Sequence, residues 1–181
     1  YQPISCYCGE SFTLFLLLDP NNDKRNILAY KREKKINDFP IFLRNSSLNP
    51  VALFGGLFDA AAIDDKGSVI FLNQPSNNSY TEIIASHLPD GEKAVSVACC
   101  SREVFTLSST GKLFIPKDLK NGNKITFSKV DSLDGIKIVD ISGIFNHCLA
   151  LSEDGKVFGF GFNYNGELGV GKEIEKADKF I

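Results

Sequence analysis

Short apolar runs alternate with polar turns along the whole chain, and the last quarter shows this pattern most clearly. Two apolar runs there, 148–151 and 157–160, flank a polar turn at 152–155 that ends in Asp-Gly. Asp-Gly between apolar runs predicts a β-hairpin, because glycine supplies the positive φ that a tight turn requires. A tail rich in glycine and asparagine follows and ends the unit at Gly171.

The same unit recurs at one fixed interval. The turn glycines are Gly67, Gly111 and Gly155, so that both intervals are 44 residues. Apolar positions keep the same register without gaps: Val51, Val95 and Val139; Leu53, Val97 and Ile141; Ile63, Leu107 and Leu151. A fourth, looser copy begins the chain. In it we expect Gly9 to match Gly143 and Leu17 to match Leu151, with about two extra residues near the turn at 19–22.

Repeats of this length made of short strands predict a radial array of sheets. The fold class is all-β: a partial β-propeller of about four blades of roughly 44 residues, each a four-stranded antiparallel sheet. The predicted repeats are approximately 1–46, 47–90, 91–134 and 135–181. We expect the last repeat to be incomplete, without a fourth strand after its glycine-rich tail. Both ends of such an arc would present uncovered blade faces.

Composition narrows the function classes. Apolar residues make up 43% of the 181 positions and charged residues 23%, which are globular values. The net charge of −2 makes a nucleic-acid partner unlikely, and the apolar run 12–18 is too short to span a membrane. The chain has no methionine, so Tyr1 is expected to be a processed or cut end. Localisation is expected to be intracellular, cytoplasmic or nuclear.

The five cysteines are odd in number and form no pair of C-x-x-C motifs. We expect them to be small buried residues in a reducing compartment, with disulfide or zinc binding as the alternatives. His87 and His147 are not spaced as paired metal ligands, and His147 is expected to cap neighbouring backbone groups. The segment 166–172 imitates a phosphate-binding loop, but Glu173 follows where magnesium coordination needs Ser or Thr. The sequence therefore predicts no catalytic, metal or cofactor site.

Two groups of residues are candidates for partner contact. The first is the basic cluster Lys31, Arg32, Lys34 and Lys35, which is either a solvated loop or a surface for an anionic partner. The second comprises loop residues expected to be exposed, namely Phe145, Asn163 and Tyr164. Packing between blades is the alternative role for Phe145.

The segment 142–169 resembles a known repeat. It reads S-G-x-x-N-H-C-L-A-L-S-E-D-G-K-V-F-G-F-G-x-N-x-x-G-E-L-G, and this pattern is similar to the repeat of the regulator of chromosome condensation family. One departure is Phe160, where that family usually has tryptophan. Earlier repeats keep the strands and the turn glycine but lack the Asn-x-x-Gly-x-Leu-Gly tail. The positions that the repeat pattern makes structural are Gly9, Gly55, Gly67, Gly111, Gly143, His147, Gly155, Gly161, Gly166 and Gly169.

The resemblance implies a seven-bladed propeller, of which this chain holds about four blades. Family members act as guanine-nucleotide exchange factors for a small GTPase, as chromatin binders, or as interaction modules in larger proteins. We expect a non-enzymatic protein-protein interaction module with an unknown protein partner; the alternative is an exchange factor. Exchange uses a protruding hairpin in the family, and only the first repeat here has surplus residues, too few for one. The acidic balance of charge disfavours chromatin binding.

Overall fold

The computed structural model folds into four antiparallel sheets of four strands each, which we call blades 1 to 4. It describes residues 1–9, 12–31, 41–43, 47–56, 60–72, 83–100, 103–117 and 125–181. Blade 1 comprises β1 (Gln2–Cys8), β2 (Phe12–Leu18), β3 (Arg25–Lys31) and β4 (Ile41–Leu43). Blade 2 comprises β5 (Pro50–Gly55), β6 (Ala60–Asp64), β7 (Val69–Leu72) and β8 (Ile83–Ser86). Blade 3 comprises β9 (Ala94–Cys100), β10 (Glu103–Ser108), β11 (Leu113–Lys117) and β12 (Thr126–Lys129). Blade 4 comprises β13 (Ile138–Ile144), β14 (His147–Ser152), β15 (Val157–Phe162) and β16 (Lys176–Ala177).

The blades are arranged as a fan around their first strands. Within each blade the strands pair in sequence order. Between blades, β1 contacts β5, β5 contacts β9, and β9 contacts β13, so the first strands line the centre. Short 3-10 turns at Pro89–Gly91 and Asp131–Leu133 lie in two of the connections between blades. The predicted all-β partial propeller is confirmed.

The hydrophobic core is divided among three interfaces between neighbouring blades. Leu14, Leu16 and Ile27 of blade 1 pack with Ala60 and Ile70 of blade 2. Equivalent clusters join blade 2 to blade 3 and blade 3 to blade 4. Each sheet is therefore held by its neighbours, as in other repeat proteins whose core is shared between adjacent units.

Blade 4 has a fourth strand, so the expectation that its last strand is missing is wrong. The two-residue strand β16 pairs with the end of β15, with Ala177 opposite Gly161. Further along, Gly159 and Ile181 exchange both backbone hydrogen bonds, at 2.9 and 3.1 Å. A strand of two residues is too short to show the period-2 alternation by which strands are recognised in sequence.

The first repeat aligns differently from the prediction. Each first strand carries a β-bulge, at Ile4, Val51, Val95 and Val139. Counting from the bulge, Cys8 occupies the position of Gly143, and Leu16 occupies that of Leu151. Apolar residues fill six of the seven positions of β2, on both faces of the strand, so the sequence pattern alone does not fix its register.

The surplus residues of the first repeat lengthen one hairpin. Leu16 pairs with Ile27, eleven residues later. The equivalent pairs in blades 2, 3 and 4 are separated by six residues: Ile63 with Val69, Leu107 with Leu113, and Leu151 with Val157. The β2–β3 hairpin is thus five residues longer than its counterparts, rather than the two expected.

The turn glycines also connect the blades. Gly67, Gly111 and Gly155 have φ of 82°, 86° and 82°. The carbonyl oxygen of Gly111 accepts a hydrogen bond of 2.9 Å from the backbone N–H of Ile138, which begins blade 4, and that of Gly67 accepts one of 3.0 Å from Ala94, which begins blade 3. A Cβ on Gly111 would lie 2.9 Å from the Ile138 carbonyl oxygen, whereas a Cβ on Gly155 would have nothing within 4 Å.

These two glycines give a matched pair of variants. Gly155→Ala is expected to cost about 1–2 kcal/mol, because alanine is strained at positive φ but meets no atom. Gly111→Ala is expected to cost about 3 kcal/mol, because the same strain is joined by a clash with the first strand of blade 4. Urea denaturation followed by circular dichroism measures both. Equal costs would show that the contact between blades at Gly111 is unimportant.

Candidate functional site

The antiparallel connectivity gives the fan two different ends. At one, the turn end, lie the turns joining second to third strands and the connections between blades. At the other, the loop end, lie the turns joining first to second strands and the long connections joining third to fourth strands. In blade 4, for example, β14 and β15 are joined at the turn end by residues 153–156, whereas β15 and β16 are joined at the loop end by residues 163–175.

A repeated set of backbone hydrogen bonds stabilises the turn end. The carbonyl oxygens of Asn49, Lys93 and Lys137, which precede successive blades, accept hydrogen bonds of 3.0, 2.8 and 2.9 Å. The donors are the backbone N–H groups of Asp65, Ser109 and Glu153 in the turns of those blades. These polar groups are occupied in holding each turn to the connection before it.

In blade 3, side-chain hydrogen bonds further stabilise the turn end. The Glu92 carboxylate accepts hydrogen bonds from Lys112 Nζ at 2.7 Å and from Thr110 Oγ1 at 2.8 Å. The hydrogen bond from Lys112 lowers the pKa of the Glu92 carboxyl, and that from Thr110 lowers it further. Glu92 therefore has a structural role at the turn end.

The loop end of blade 4 exposes apolar side chains on a strained turn. Ile144 and Phe145, at the turn between β13 and β14, are 55% and 52% exposed. Phe145 has φ of 53°, which is unusual for a bulky side chain. Asn146, the other residue of the turn, stabilises it, because its carbonyl oxygen accepts a hydrogen bond of 2.9 Å from Phe162 N–H. A strained and exposed aromatic residue is the kind of feature that indicates a functional surface.

A second pair of aromatic residues lies beside this turn. Tyr164 is 65% exposed, and its ring stacks on Phe162 with centroids 5.2 Å apart. The ammonium group of Lys176 lies 5.7 Å from the centre of the Phe162 ring. We call Ile144, Phe145, Phe162 and Tyr164 the aromatic tip. The sequence analysis identified Phe145 and Tyr164 as candidates but missed Ile144 and Phe162. Ile144 could have been found as an apolar residue that continues β13 beyond Gly143.

Asn163 is buried, so its prediction as an exposed loop residue is wrong. It is 3% exposed. Its Nδ2 group donates to the carbonyl oxygens of Gly171 and Ile174 at 2.8 and 2.7 Å, and its Oδ1 accepts from Leu168 N–H at 2.9 Å. The Asn163 side-chain amide thus supplies hydrogen-bond partners to backbone groups of the loop. Asn163 thus organises the connection that carries Tyr164.

His147 and Glu167 lie at the same end. His147 begins β14 and is half-buried. No hydrogen bond from its ring is found among the described residues, so the expected capping role stays a prediction. The pKa of the Glu167 carboxyl is lowered by hydrogen bonds from its own backbone N–H and from that of Asn165. His147 makes a smaller favourable electrostatic contribution to that carboxylate.

The basic cluster lies largely outside the described residues. Lys31 is the last residue of β3 and so lies at the loop end, but its side chain is not among those described. Arg32, Lys34 and Lys35 also fall outside the described ranges. A contribution of this cluster to partner contact stays a prediction.

The glycines of the repeat pattern fall into two groups. Some adopt a left-handed backbone: Gly67, Gly111, Gly155, Gly161, Gly166 and Gly169. The others are closely approached where a side chain would stand: a Cβ on Gly9 would meet the Phe12 ring at 2.4 Å, one on Gly55 the Tyr7 ring at 2.3 Å, and one on Gly143 the Ala98 methyl at 3.3 Å.

The cysteines divide into two environments. Cys99, Cys100 and Cys148 are buried, as expected, and burial strongly raises the pKa of the Cys148 thiol. Cys6 and Cys8 are exposed on β1, so the expectation is wrong for them. Their positions pair with Phe15 and Thr13 on the face of blade 1 that points away from blade 2. All five lie in the described part of the chain, and no disulfide joins them.

Comparison with known proteins adds family information at the level of sequence. The model of the "Regulator of chromosome condensation (RCC1) repeat" matches residues 138–167. The ultraviolet-B receptor UVR8 of Arabidopsis thaliana is 33% identical over 95 residues, covering 48% of this chain and 22% of that protein. The probable E3 ubiquitin-protein ligase HERC6 of Homo sapiens is 48% identical over 49 residues, covering 27% of this chain and 5% of that protein.

Solved structures agree on the fold. Human WBSCR16 superposes with a TM-score of 0.73 at 18% identity, over 99% of this chain and 52% of that one. Prp20p of Saccharomyces cerevisiae gives 0.73 at 14% identity, over 99% and 50%. The chain thus spans about half the length of these structures. In architecture it is a partial β-propeller. Its segment 138–167 is similar to the repeat of the regulator of chromosome condensation family. None of its described residues forms a helix long and apolar enough to cross a membrane.

Proposed function

We propose that this chain is a non-enzymatic protein-binding module and that the aromatic tip is its contact surface. The observation that carries the proposal is the clustering of Ile144, Phe145 and Tyr164, each more than half exposed, at the loop end of one blade. Aromatic residues dominate the energetics of protein interfaces, since they bury a large area with few rotatable bonds. The propeller beneath them supplies a rigid support.

The two ends of the fan support this assignment. Backbone and side-chain groups at the turn end are engaged in the repeated hydrogen bonds that hold each turn. At the loop end of blade 4, the Asn163 amide fixes the connection from within and leaves Tyr164 projecting. Prp20 of yeast, which has a similar fold, binds protein partners: one solved structure holds it bound to Kap60, and another was studied with its binding to Gsp1p and histones. Those partners are partners of Prp20. For this chain we propose an intracellular protein partner.

Phe145→Gly separates a binding role from a structural one. Glycine removes the strain at φ of 53°, so the variant is expected to be more stable by about 0.5–1 kcal/mol. The same change deletes an aromatic anchor, so binding is expected to weaken by about 2 kcal/mol, or roughly thirtyfold. Quantitative affinity capture with the wild-type chain, followed by calorimetry with each purified partner, measures binding; urea denaturation measures stability.

The matched control is Val95→Gly, which removes an exposed apolar residue from the centre of the fan, where Val95 is 50% exposed. It is expected to leave partner affinity unchanged. The proposal fails if every captured protein binds Phe145→Gly and Tyr164→Ala as well as it binds the wild-type chain.

Guanine-nucleotide exchange on a small GTPase is the second candidate. The observation that favours it is the β2–β3 hairpin of blade 1, which is five residues longer than its counterparts. Its described turn, residues 19–24, is mostly polar, with Asp19 and Asp23 among its members. Accelerated nucleotide release from a small GTPase, abolished by shortening this hairpin, would replace the aromatic tip as the functional surface.

A further inference from the structure

Asn165 and Gly166 form an Asn-Gly pair in the connection between β15 and β16. Both residues are exposed. Gly166 has φ of 85°, and a Cβ there would have nothing within 4 Å. In an Asn-Gly pair the backbone nitrogen of glycine can attack the side-chain carbonyl carbon of asparagine, because glycine has no side chain to hinder the approach. The pair is therefore reactive in principle and open to water.

The Glu167 carboxylate holds the Asn165 side chain. Glu167 Oε1 accepts a hydrogen bond of 3.0 Å from Asn165 Nδ2, and Oε2 accepts one of 2.9 Å from the Asn165 backbone N–H. Nδ2 is the atom that would leave as ammonia, so the first of these bonds must break before the reaction is complete. A carboxylate at this distance also disfavours the negative charge that develops on the attacked amide. Both effects slow the reaction.

The attacking nitrogen is restrained as well. The Gly166 N–H donates to the Asn163 carbonyl oxygen at 3.1 Å, and the Gly166 carbonyl oxygen accepts from Gly169 N–H at 3.0 Å. The nitrogen must lose its proton in order to attack, so this turn has to open first. Its opening is opposed by the Asn163 side chain, whose Oδ1 accepts from Leu168 N–H at 2.9 Å. The reaction therefore depends on local opening of the loop.

We propose that Asn165 is a site of spontaneous deamidation and that Glu167 sets its rate. The Gly166 nitrogen bonds to Asn165 Cγ while the Cγ–Nδ2 bond breaks. The proton that this nitrogen loses passes through water to the departing amino group, which leaves as ammonia. Water then opens the resulting succinimide ring. Opening at Cγ gives aspartate, whereas opening at the main-chain carbonyl carbon gives isoaspartate, in which the main chain runs through Cγ and is one carbon longer.

The isoaspartate product is expected to loosen the connection that carries Tyr164. Its extra carbon lies inside the turn closed by the Gly166 N–H and the Asn163 carbonyl oxygen, so this hydrogen bond is disrupted. The aspartate product leaves the main chain unchanged and places a second carboxylate beside Glu167, which is a smaller change at an exposed site. The effect on the aromatic tip rests on the proposed function, whereas the reaction and the loosening of the loop do not.

Peptide mapping by mass spectrometry measures the reaction in the full chain. It separates Asn165 from Asn121, which also precedes a glycine but lies outside the described residues. Deamidation at Asn165 is expected in the folded wild-type chain, at a rate at least about tenfold below that of the same chain in urea, because hydrogen bonds restrain both reacting groups.

Glu167→Gln tests the role of the carboxylate, since it keeps the size of the side chain and removes its charge. The folded variant is expected to deamidate at Asn165 about tenfold faster than the folded wild type. In urea the two chains are expected to react at the same rate. Gly166→Ala is the negative control, in which the added methyl group hinders the attack in both states.

Hydrogen exchange at Leu168 N–H measures the consequence for the loop. The isoaspartyl chain, separated by ion-exchange chromatography, is expected to exchange faster there than the wild type. Asn165→Asp reproduces the charge of the product without the longer main chain and is expected to exchange like the wild type. Partner affinity of the isoaspartyl chain is expected to fall as it does in Tyr164→Ala.

The inference is overturned if the folded wild-type and Glu167→Gln chains deamidate at one rate, or if Asn165 stays intact in both while it reacts in urea. Unchanged protection of Leu168 in the isoaspartyl chain would remove the effect on the loop. A partner that binds the isoaspartyl chain normally, although Tyr164→Ala weakens its binding, would exclude regulation of the aromatic tip by this reaction. A partner that is insensitive to both changes would contradict the proposed function and leave the deamidation site standing.

Discussion

Gly161→Ala is expected to lower the free energy of unfolding by about 3–5 kcal/mol, a large effect for one methyl group. Gly161 has φ of 101°, and a Cβ there would lie 2.1 Å from the Asn146 carbonyl oxygen and 2.9 Å from the His147 Cα. Both atoms are backbone, so no side-chain rotation relieves the clash. The Asn146 oxygen also accepts the Phe162 N–H. Moving it away would break the hydrogen bond that holds the strained turn of the aromatic tip.

Gly166→Ala is the matched control for this variant. Gly166 has φ of 85°, but a Cβ there would have nothing within 4 Å. It is therefore expected to cost only the backbone strain, about 1–2 kcal/mol. Urea denaturation followed by circular dichroism compares the two, and hydrogen exchange at Phe162 N–H reports the local change. If the two variants lose the same stability, steric exclusion at Gly161 is not what makes glycine necessary there.

The blades could be predicted because their determinants are local and repeated. A turn glycine at positive φ, flanked by two apolar strands, specifies one hairpin, and the recurrence of Gly67, Gly111 and Gly155 specifies how the hairpins stack. The first repeat was the least predictable for the same reason. With six apolar residues among the seven of Phe12–Leu18, the pattern does not identify the inward face, and only strand pairing shows that Leu16 is equivalent to Leu151.

The candidate site was only partly predictable, because exposure depends on contacts distant in sequence. Asn163 and Tyr164 are adjacent polar residues of one glycine-rich tail, and both have the composition of an exposed loop. The structure buries one and exposes the other, since Asn163 finds three backbone partners between Leu168 and Ile174. Likewise, Cys6 and Cys8 are exposed because their side of blade 1 faces away from blade 2, which no local pattern reveals.

Asn163→Ala is expected to lower stability by about 2–4 kcal/mol. The change removes three hydrogen bonds, worth about 1 kcal/mol each, and leaves three backbone groups without their partner. These are the carbonyl oxygens of Gly171 and Ile174 and the N–H of Leu168, which is itself 7% exposed. Asn165→Ala, at an exposed position two residues further on, is the control and is expected to cost less than about 1 kcal/mol.

In Asn163→Ala, local unfolding of the connection 163–175 and of β16 is expected to precede global unfolding, because this connection leads directly to β16. Hydrogen exchange should therefore accelerate at the Asn163 N–H, which donates to the Glu175 carbonyl oxygen at 2.8 Å, and at Ile181, while amides of the interface between blades 2 and 3 keep their protection.

Asn163→Asp tests the same hydrogen bonds with a charged side chain. It keeps an acceptor for Leu168 but turns a carboxylate toward two carbonyl oxygens. That arrangement favours the protonated acid and raises its pKa in the folded state. The variant should then be more stable at low pH and lose stability as the pH rises through that pKa, whereas Asn163→Ala should show no such dependence. If protection at Ile181 is unchanged in both variants, the amide of Asn163 does not hold the last strand of blade 4 in place.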